Sequence, residues 1–376
     1  MTPGRPAAVW QTAAVPWPFR SELDTLVPYE PGRPVELVQR ELGLPGPMVK
    51  LASNEGTWGM VPAANEAVQR ALAQSNRYPD GGCFELRTAL AAKHGVELEQ
   101  VVIGNGADGV LGYLALALLA PGDEVAFGWP SFPVYPINAA KMGAISVRCS
   151  LDGSAFDLEA LAAAITSQTK IAYVTNPNNP TGGMVDREAL LRFLDHLPEH
   201  VVPVLDEAYF EYVDDPGYPD GSLELQRGRR VIVLRTFSKI YGLAGLRVGY
   251  GLMPADLAQA CVKVKGAFDV SAVAQAAALA SLAAGAEIAR RRDETTRERE
   301  ELAQALRQRG LEPLPSVANF LCLPALDGAR VAAALEREGV IVRGLAGFGY
   351  PEAIRVTVGT SDENELFLAA LARVLS

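Results

Sequence analysis

The stretch VVIGNGADGVLGYLALALL (Val101–Leu119) joins a short apolar run to a long one through a glycine-rich turn. The run Val101–Ile103 is typical of a buried strand, and the run after Gly109 has the length and composition of a helix. A strand, a glycine turn and a helix N-terminus together offer backbone N–H groups to an anion. The spacing also satisfies G-x-G-x-x-G, so the bound phosphate could belong to a dinucleotide or to another ligand.

The same alternation of short apolar runs and helix-like stretches continues on both sides of this segment. Doubly apolar strands that alternate with helices predict an α/β domain with a mainly parallel sheet. The predicted strands are Val101–Ile103, Glu124–Phe127, Ile145–Arg148, Ile171–Thr175, Val201–Leu205 and Val231–Leu234. The predicted helices are Ala63–Gln74, Phe84–His94, Gly109–Leu119, Leu158–Ala164 and Arg187–Leu197.

The pattern changes after about Gly266. The segment Val273–Gly310 predicts one long helix, whose charges alternate in sign as on a solvated face. Three strand-like runs follow, at Ala318–Leu323, Val340–Arg343 and Ile354–Val358. These features predict a smaller α+β domain after the large one. We therefore divide the chain into an N-terminal arm that packs with the small domain (1–48), a large α/β domain (49–266) and a small α+β domain (267–376).

The composition narrows the class of protein. A chain of 376 residues is long enough for about two domains, and its net charge of −10 argues against nucleic acid or an anionic membrane as partner. The four cysteines and three histidines show no metal-ligand spacing, so we expect neither a metal site nor a disulfide framework. Prolines interrupt the first twenty residues where a signal peptide needs an apolar core. We therefore expect a cytoplasmic protein.

Ionisable residues follow the predicted strands where a ligand would bind. In an open α/β sheet the ligand lies beyond the carboxyl ends of the strands. Asp206 follows one strand, and a buried carboxylate there is costly without a cation or a proton beside it. Lys239 and Arg247 follow another strand, and lysine is scarce here, with seven among 34 basic residues. Because arginine cannot be deprotonated and lysine can, Lys239 suggests a chemical role.

A pyridine ring with a phosphate and an aldehyde, as in pyridoxal 5'-phosphate, accounts for this set of residues. Asp206 would keep the ring nitrogen protonated, so that the ring accepts electrons. Lys239 would attach the aldehyde and later carry a proton. A dinucleotide leaves both residues without a role, so we reject it. The remaining expected contacts are the phosphate with Gly106, Ala107, Asp108, Thr236, Ser238 and Arg247, the ring hydroxyl with Asn179 and Tyr209, and the ring face with Phe132.

Eight motifs in order carry a resemblance to a known family. They are PYEPGRP (28–34), KLASNEG (50–56), RYPDGG (77–82), GNGAD (104–108), NPNNPTG (176–182), DEAYFEY (206–212), TFSKIYGLAGLRVGY (236–250) and IRVTVGT (354–360). The chain resembles the fold-type I pyridoxal-phosphate aminotransferases, and within them it is most similar to the histidinol-phosphate aminotransferases. The resemblance covers nearly the whole chain and implies a seven-stranded sheet in the large domain.

The resemblance also implies partners and further site residues. It implies a homodimer with shared active sites, in which the arm 1–48 also packs on the dimer partner and Tyr78 reaches the phosphate of the neighbouring subunit's cofactor. It implies that Arg355 binds the anionic group of the substrate and that Tyr29, Asn54 and Arg343 line the substrate pocket. The implied reaction is a ping-pong transfer of an amino group between histidinol phosphate and 2-oxoglutarate.

Two segments depart from the family pattern and leave the amino donor open. Gly56–Gly59 and Gly344–Gly347 replace residues that usually shape the substrate pocket, and Ala107 replaces a serine in the glycine turn. Trp58 could favour an aromatic amino acid such as phenylalanine over histidinol phosphate. A decarboxylase or other lyase on the same scaffold is a further alternative.

Overall fold

The computed structural model describes residues 17, 19–24, 26–44 and 47–376. The strands are β1 (Val49–Lys50), β2 (Val101–Gly104), β3 (Glu124–Gly128), β4 (Ile145–Cys149), β5 (Leu151–Asp152), β6 (Ala155–Phe156), β7 (Thr169–Thr175), β8 (Val202–Asp206), β9 (Ile232–Thr236), β10 (Gly249–Leu252), β11 (Phe320–Leu323), β12 (Val340–Ile341), β13 (Arg343–Gly344) and β14 (Ile354–Thr357).

The α-helices are α1 (Val35–Leu42), α2 (Pro62–Leu72), α3 (Phe84–His94), α4 (Gly106–Leu118), α5 (Val134–Lys141), α6 (Leu158–Ala163), α7 (Arg187–His196), α8 (Gly221–Gln226), α9 (Ala255–Val264), α10 (Ala272–Leu282), α11 (Gly285–Arg307), α12 (Gly328–Arg337) and α13 (Ser361–Leu375). Short 3-10 helices lie at Ser21–Asp24, Leu98–Gln100, Phe210–Tyr212, Ala244–Leu246 and Ala346–Phe348.

A seven-stranded sheet forms the centre of the fold, in the order β2-β10-β9-β8-β7-β3-β4. The pairs from β9 to β4 are parallel, whereas β10 runs antiparallel to both β2 and β9. The carboxyl ends of β2, β7, β8 and β9 therefore meet at one edge. This sheet confirms the mainly parallel α/β architecture, and it places the predicted ligand-binding segments side by side.

Helices cover both faces of this sheet because its strands are apolar on both sides. Within β7, Ile171 and Tyr173 belong to one buried cluster, while Ala172 and Val174 belong to the cluster on the other face. Successive side chains of a strand point to opposite faces, so an unbroken apolar run requires two helical layers. Helices α4, α5 and α9 cover one face, and α2, α3, α7 and α10 contribute to the core on the other.

A second, smaller sheet has the order β11-β14-β13 and is antiparallel. Its buried cluster includes residues of α11, α12 and α13, and Leu51 packs into it from the N-terminal side. Strand β1 pairs in parallel with β12, through Val49 with Val340 and Lys50 with Ile341. The segment 49–54 therefore connects the two regions, and β14 lies close to the edge of the large sheet.

The C-terminal region corrects three details of the prediction. The single helix predicted at Val273–Gly310 is two helices, α10 and α11, which bend by 83° at the break before Gly285. The run Val340–Arg343 divides into β12 and β13, which belong to different sheets. Strand β10 completes the large sheet but was absent from the predicted strands. Three of its four residues are glycine or tyrosine, and this composition carries little apolar signal.

The domain boundaries at 48/49 and 266/267 stay predictions. Contacts cross both of them: Val38 shares a buried cluster with Ala52, and Ala274, Ala277 and Ala278 of α10 lie in the core of the large sheet. Within the described residues no single helix is long and apolar enough to cross a membrane, and α10 with α11 passes that test only as a bent pair. The described part of the chain also contains no group of three or more His, Cys, Asp or Glu side chains placed to hold a metal.

Candidate active site

Helix α4 begins at Gly106, at the edge where the predicted phosphate contacts meet. Gly106 has a φ of +73°, and a Cβ there would lie 2.6 Å from Nη2 of Arg247. The guanidinium of Arg247 thus lies against the first turn of the helix, and its Nη1 donates to Oγ of Ser238 at 3.3 Å. Backbone N–H groups at a helix start and a guanidinium beside them form an anion-binding arrangement.

Two further contacts hold this arrangement together. The Ser238 N–H donates to Oγ1 of Thr236 at 3.0 Å, so the two predicted phosphate hydroxyls lie in one turn. A Cβ on Gly249 would come within 2.4 Å of the Ala107 nitrogen, so β10 lies directly against the helix start. The glycine turn, Ser238 and Arg247 therefore converge as the sequence predicts, although Arg247 itself is solvent-exposed.

Asp206 ends β8 and is 4% exposed. Its Oδ2 accepts a hydrogen bond from the Tyr135 hydroxyl at 2.6 Å, and its Oδ1 accepts one from the Ala208 N–H at 3.2 Å. Burial raises the pKa of Asp206 to about 6, although the hydrogen bonds from Tyr135 and Ala208 oppose that effect. A carboxylate with a raised pKa in a cleft is a candidate for binding a protonated nitrogen.

Lys239 lines the same cavity as Asp206. Its amino group donates to the Ser53 carbonyl at 3.1 Å and lies 5.7 Å from the ring of Tyr209. Burial, with the positive charge of Arg355 as the next cause, lowers the pKa of Lys239 to about 8. About a tenth of this amine is therefore neutral at pH 7, far more than for an ordinary lysine, and a nucleophile or base requires the neutral form.

Arg355, on β14, is 4% exposed. It donates to the Ala52 carbonyl at 2.8 Å and to Oδ1 of Asn179, while its buried Nε has no partner among the described residues. Burial lowers the pKa of Arg355, and the charge of Arg343 acts in the same direction. The Phe348 ring lies 5.2 Å from the Arg355 guanidinium and 5.5 Å from that of Arg343. Two cations therefore flank one aromatic ring at the border of the cavity.

One cavity of about 250 Å³ joins these residues at the carboxyl edge of the sheet. Its wall contains most of the predicted cofactor contacts together with Tyr29: Ala107, Asp108, Phe132, Asn179, Asp206, Tyr209, Thr236, Ser238, Lys239 and Arg247. A smaller cavity of about 60 Å³ adjoins it and reaches Asn54, Arg343 and Arg355. A buried carboxylate, a buried amine and an anion-binding turn therefore line one cavity, and this set of groups fits pyridoxal phosphate.

A larger cavity of about 480 Å³ also borders this site. It shares Tyr29 and Arg343 with the site, and Trp129, Ala346 and Gly347 contribute to its wall. The Phe132 ring lies 6.5 Å from the Tyr29 ring in an edge-on arrangement, so Tyr29 of the N-terminal arm lies beside a predicted cofactor contact. The atypical segment 344–347 therefore borders the region beside the predicted substrate residues.

The other atypical segment, 56–59, lies behind Lys239. A Cβ on Gly56 would come within 2.5 Å of the Lys239 carbonyl, and one on Gly242 would come within 1.9 Å of the Gly59 carbonyl. These glycines allow two backbones to approach closely beneath the lysine. Trp58 itself lies 5.9 Å from the Arg290 guanidinium and, in the described part of the chain, is not among the residues that line these cavities.

Tyr78 is the predicted site residue that this chain does not bring into the cavity. Its side chain is 83% exposed and stacks on Phe268 at 4.7 Å. Asn54 was predicted to line the substrate pocket. In the structure its side chain is completely buried and forms hydrogen bonds with Tyr209 and Thr357.

Sequence reasoning missed Tyr135 and Thr175, which support Asp206. The Tyr135 hydroxyl lies 2.8 Å from Oγ1 of Thr175, and the Tyr135 ring stacks on Tyr173 at 4.3 Å. Tyr135 is the last residue of the aromatic-rich segment GWPSFPVY (128–135), which begins at the end of β3. No local signal distinguishes Tyr135 from a core tyrosine, because its partner is 71 positions away.

Comparisons with known proteins agree with this geometry. The family model for aminotransferase class I and II matches residues 46–371. Similar curated proteins include histidinol-phosphate aminotransferase 1 of Nitrosococcus oceani, 43% identical over 351 residues and covering 93% of this chain and 95% of that protein. Histidinol-phosphate aminotransferase 2 of Pseudomonas aeruginosa is 44% identical over 353 residues, with coverage of 93% and 96%.

Solved structures show the same relationship. The histidinol-phosphate aminotransferase of Sinorhizobium meliloti in complex with pyridoxal-5'-phosphate superposes with a TM-score of 0.87 at 29% identity, covering 96% of this chain and 98% of that one. The aspartate aminotransferase of Thermus thermophilus with maleate gives a TM-score of 0.83 at 26% identity, with coverage of 95% and 99%. These matches confirm the family that the eight motifs predicted. The chain belongs to the class I and II aminotransferases and is a pyridoxal-phosphate-dependent aminotransferase.

Proposed function

We propose that this enzyme transfers the amino group of histidinol phosphate to 2-oxoglutarate by a ping-pong mechanism. The two compounds would bind in turn to one site, so the same cations must accept a phosphate and a carboxylate. The names of the relatives at 43 and 44% identity support histidinol phosphate as the donor. We also propose a cytoplasmic location, which stays a prediction.

The pair Arg343 and Arg355 carries this proposal. Neither guanidinium forms an ion pair with a carboxylate among the described residues, and Arg355 has hydrogen bonds only to neutral oxygens. A buried cation without a counter-ion is costly, so its position is explained by an anion that arrives with the substrate. A phosphate can accept hydrogen bonds from two guanidiniums at once, and the carboxylates of an oxo acid can use the same donors.

Different residues of the protein would have different roles around the proposed cofactor. Bound pyridoxal phosphate supplies a ring that accepts the electrons of the broken C–H bond of the amino donor. The Asp206 carboxylate would hold a proton on the ring nitrogen. The Lys239 amine would attach the cofactor aldehyde, and after release it would take a proton from the α-carbon of the donor and return it to the neighbouring cofactor carbon.

The remaining contacts would fix the position of the cofactor. The start of α4, Thr236, Ser238 and Arg247 would bind the phosphate. Asn179 and Tyr209 would donate to the ring hydroxyl oxygen, and Phe132 would cover one ring face. The Asn179 carboxamide is already oriented for this role, because its oxygen accepts from Arg355 and its nitrogen is left to donate.

We further propose a homodimer whose sites are shared between subunits. The exposed pair Tyr78 and Phe268 supports it, because the two rings stack on the surface with 83% and 46% of their side chains exposed. A contiguous aromatic surface of this kind is typical of an interface. In the dimer the Tyr78 hydroxyl would bind the phosphate in the neighbouring site.

An aromatic amino acid donor gains no support from Trp58, which lies beside Arg290 and lines none of the three cavities at the candidate site. A lyase likewise gains no specific support from the geometry. Both activities serve as comparison outcomes in the following experiment.

The test is a single-turnover absorbance titration of the cofactor-loaded enzyme without oxo acid. Histidinol phosphate is expected to convert the band of the lysine-bound cofactor to that of the amine form, and 2-oxoglutarate is expected to restore it. Arg343→Gln should weaken the response to histidinol phosphate about tenfold or more, since a charge-assisted hydrogen bond contributes about 1.5–3 kcal/mol. Conversion by phenylalanine alone would refute the proposed donor, and release of carbon dioxide without an oxo-acid requirement would refute the transfer.

A further inference from the structure

Asn54 occupies an unusual backbone position between the two sheets. It is completely buried, and its φ of +54° places it in the left-handed region. Residues other than glycine adopt this conformation when the surrounding structure holds them there, often at functional sites. The contacts that hold Asn54 come from three segments that lie far apart in the sequence: Tyr209 after β8, Asn319 before β11 and Thr357 at the end of β14.

The hydrogen bonds of Asn54 form a directed series. The Asn54 backbone N–H donates to Oγ1 of Thr357 at 2.9 Å, and the Thr357 hydroxyl donates back to Oδ1 of Asn54 at 3.1 Å. The Asn54 amide nitrogen then donates to the Tyr209 hydroxyl oxygen at 2.9 Å. Among the described residues, Oδ1 of Asn54 is the one acceptor within hydrogen-bond distance of the Thr357 hydroxyl.

The opposite orientation of the amide would be unfavourable. If the Asn54 amide were flipped, Tyr209 would donate to the amide oxygen, and the amide nitrogen would face Thr357. The buried Thr357 hydroxyl hydrogen would then lose its acceptor, and an unsatisfied buried donor is costly. Thr357 therefore selects the orientation in which Tyr209 accepts from Asn54. The hydrogen of the Tyr209 hydroxyl is then free to be donated into the cavity that Tyr209 lines.

We propose that Thr357 and Asn54 are positioning residues that set the direction of the Tyr209 hydroxyl, so that it donates to the ring oxygen of the cofactor. The inference rests on the proposed function of the cavity. A donated hydrogen bond stabilises the ring oxygen in its anionic form, so it lowers the pKa of the proton shared between that oxygen and the Lys239 nitrogen. Because Thr357 lies two positions from Arg355 on β14, the strand that carries the proposed substrate cation also sets this hydrogen bond.

The test is a spectrophotometric pH titration of the cofactor-loaded enzyme, without donor or turnover. Thr357→Val keeps the side-chain volume and removes both hydrogen bonds of the hydroxyl, whereas Thr357→Ser keeps them. We expect Thr357→Val to raise the midpoint by roughly half to one pH unit, as for the loss of one neutral hydrogen bond. Thr357→Ser should titrate like the wild type.

The same substitutions in a Tyr209→Phe background separate positioning from a general structural effect. Tyr209→Phe alone should raise the midpoint, and adding Thr357→Val should then change it no further, because the hydroxyl to be positioned is gone. Thr357→Ala provides a second variant. Like Thr357→Val, it should raise the midpoint in the wild-type background and leave it unchanged in the Tyr209→Phe background.

Three outcomes would overturn the inference in distinguishable ways. An unchanged midpoint in Thr357→Val would show that the hydroxyl direction does not depend on Thr357. An equal shift in the wild-type and Tyr209→Phe backgrounds would show a structural effect that does not pass through Tyr209. A wild-type protein that attaches no cofactor at Lys239 would overturn the proposed function, and this inference with it.

Discussion

Replacement of Asp206 by asparagine should stabilise the cofactor-free protein against unfolding and lower its affinity for the cofactor. The carboxyl group is 4% exposed, and burial raises its pKa from an ordinary value of 3.8 to about 6. Since one pH unit corresponds to about 1.36 kcal/mol, the charged carboxylate destabilises the folded chain by about 3 kcal/mol at pH 7.5. The amide carries no charge and removes this cost.

The hydrogen bonds around the side chain can adapt to the amide. Oδ1 can still accept from the Ala208 N–H, and the Tyr135 hydroxyl can accept from the new amide nitrogen while it donates to Thr175, 2.8 Å away. One N–H of the amide is therefore paired with Tyr135, and water in the cavity that this side chain lines can accept from the other. Most of the electrostatic gain should therefore be measurable.

The gain in stability from Asp206→Asn should increase with pH. Well below pH 3.8 the carboxyl is protonated in both the folded and the unfolded chain, so Asp206→Asn gains nothing there. The gain grows as the pH rises towards about 6 and is constant above it. We expect about 3 kcal/mol at pH 7.5 and about half of that at pH 5.

The assay is urea unfolding of the cofactor-free protein at both pH values and one protein concentration, with cofactor affinity measured in parallel. Asp152→Asn is a matched control, because Asp152 is exposed on the β5–β6 hairpin and its loss should change stability by less than about 0.5 kcal/mol. An Asp206→Asn variant that is no more stable than the wild type at pH 7.5, or equally stabilised at both pH values, would refute the reasoning. An Asp206→Asn variant with undiminished cofactor affinity would also refute the reasoning.

Gly106→Ala should weaken cofactor binding about tenfold or more, as judged by fluorescence titration, because its Cβ would lie 2.6 Å from Nη2 of Arg247 at a φ of +73°. Gly112→Ala is the control within the same helix, where a Cβ meets nothing within 4 Å, and unaltered binding in both variants would contradict the assignment of the phosphate site. Lys239→Arg should abolish the covalent adduct that borohydride reduction traps in the wild type, since arginine stays protonated; a residual adduct by mass spectrometry would rule out this lysine. In the wild type the rate of cofactor attachment should rise as the pH increases through about 8, where the Lys239 amine becomes neutral, and a rate independent of pH would disagree. Arg355→Gln should raise the KM for the oxo acid by about 10- to 100-fold, as expected for lost charge-assisted hydrogen bonds, and an unchanged KM would place the anion elsewhere.

The α/β architecture was predictable because the relevant signals are local. The six predicted strands of the large sheet match β2, β3, β4, β7, β8 and β9 within two residues at each end. Each is a short run of apolar residues, and burial on both faces produces that pattern whatever the neighbouring strands are. Strand β10 has no such pattern, since its glycines are needed for the approach to Ala107 and Val110.

The residues of the candidate site were predictable for a geometric reason. Parallel strands end at one edge, so Asp206, Thr236 and the glycine turn after Ile103 had to meet there once the strands were recognised. The environment of each residue was not predictable. Tyr135 reaches Asp206 from α5, and Thr357 reaches Asn54 across 303 positions, so these contacts depend on how separate elements pack.

The sequence by itself therefore determined the elements, the edge at which the site forms and the chemical types of the side chains. Only the tertiary structure decided the properties of those side chains. Asp206 has a raised pKa and Lys239 a lowered one because both are buried, and burial is a property of the packed chain. The break between α10 and α11, the division of β12 from β13 and the amide direction of Asn54 likewise depend on contacts between distant segments. The local periodicity of the sequence does not predict such contacts.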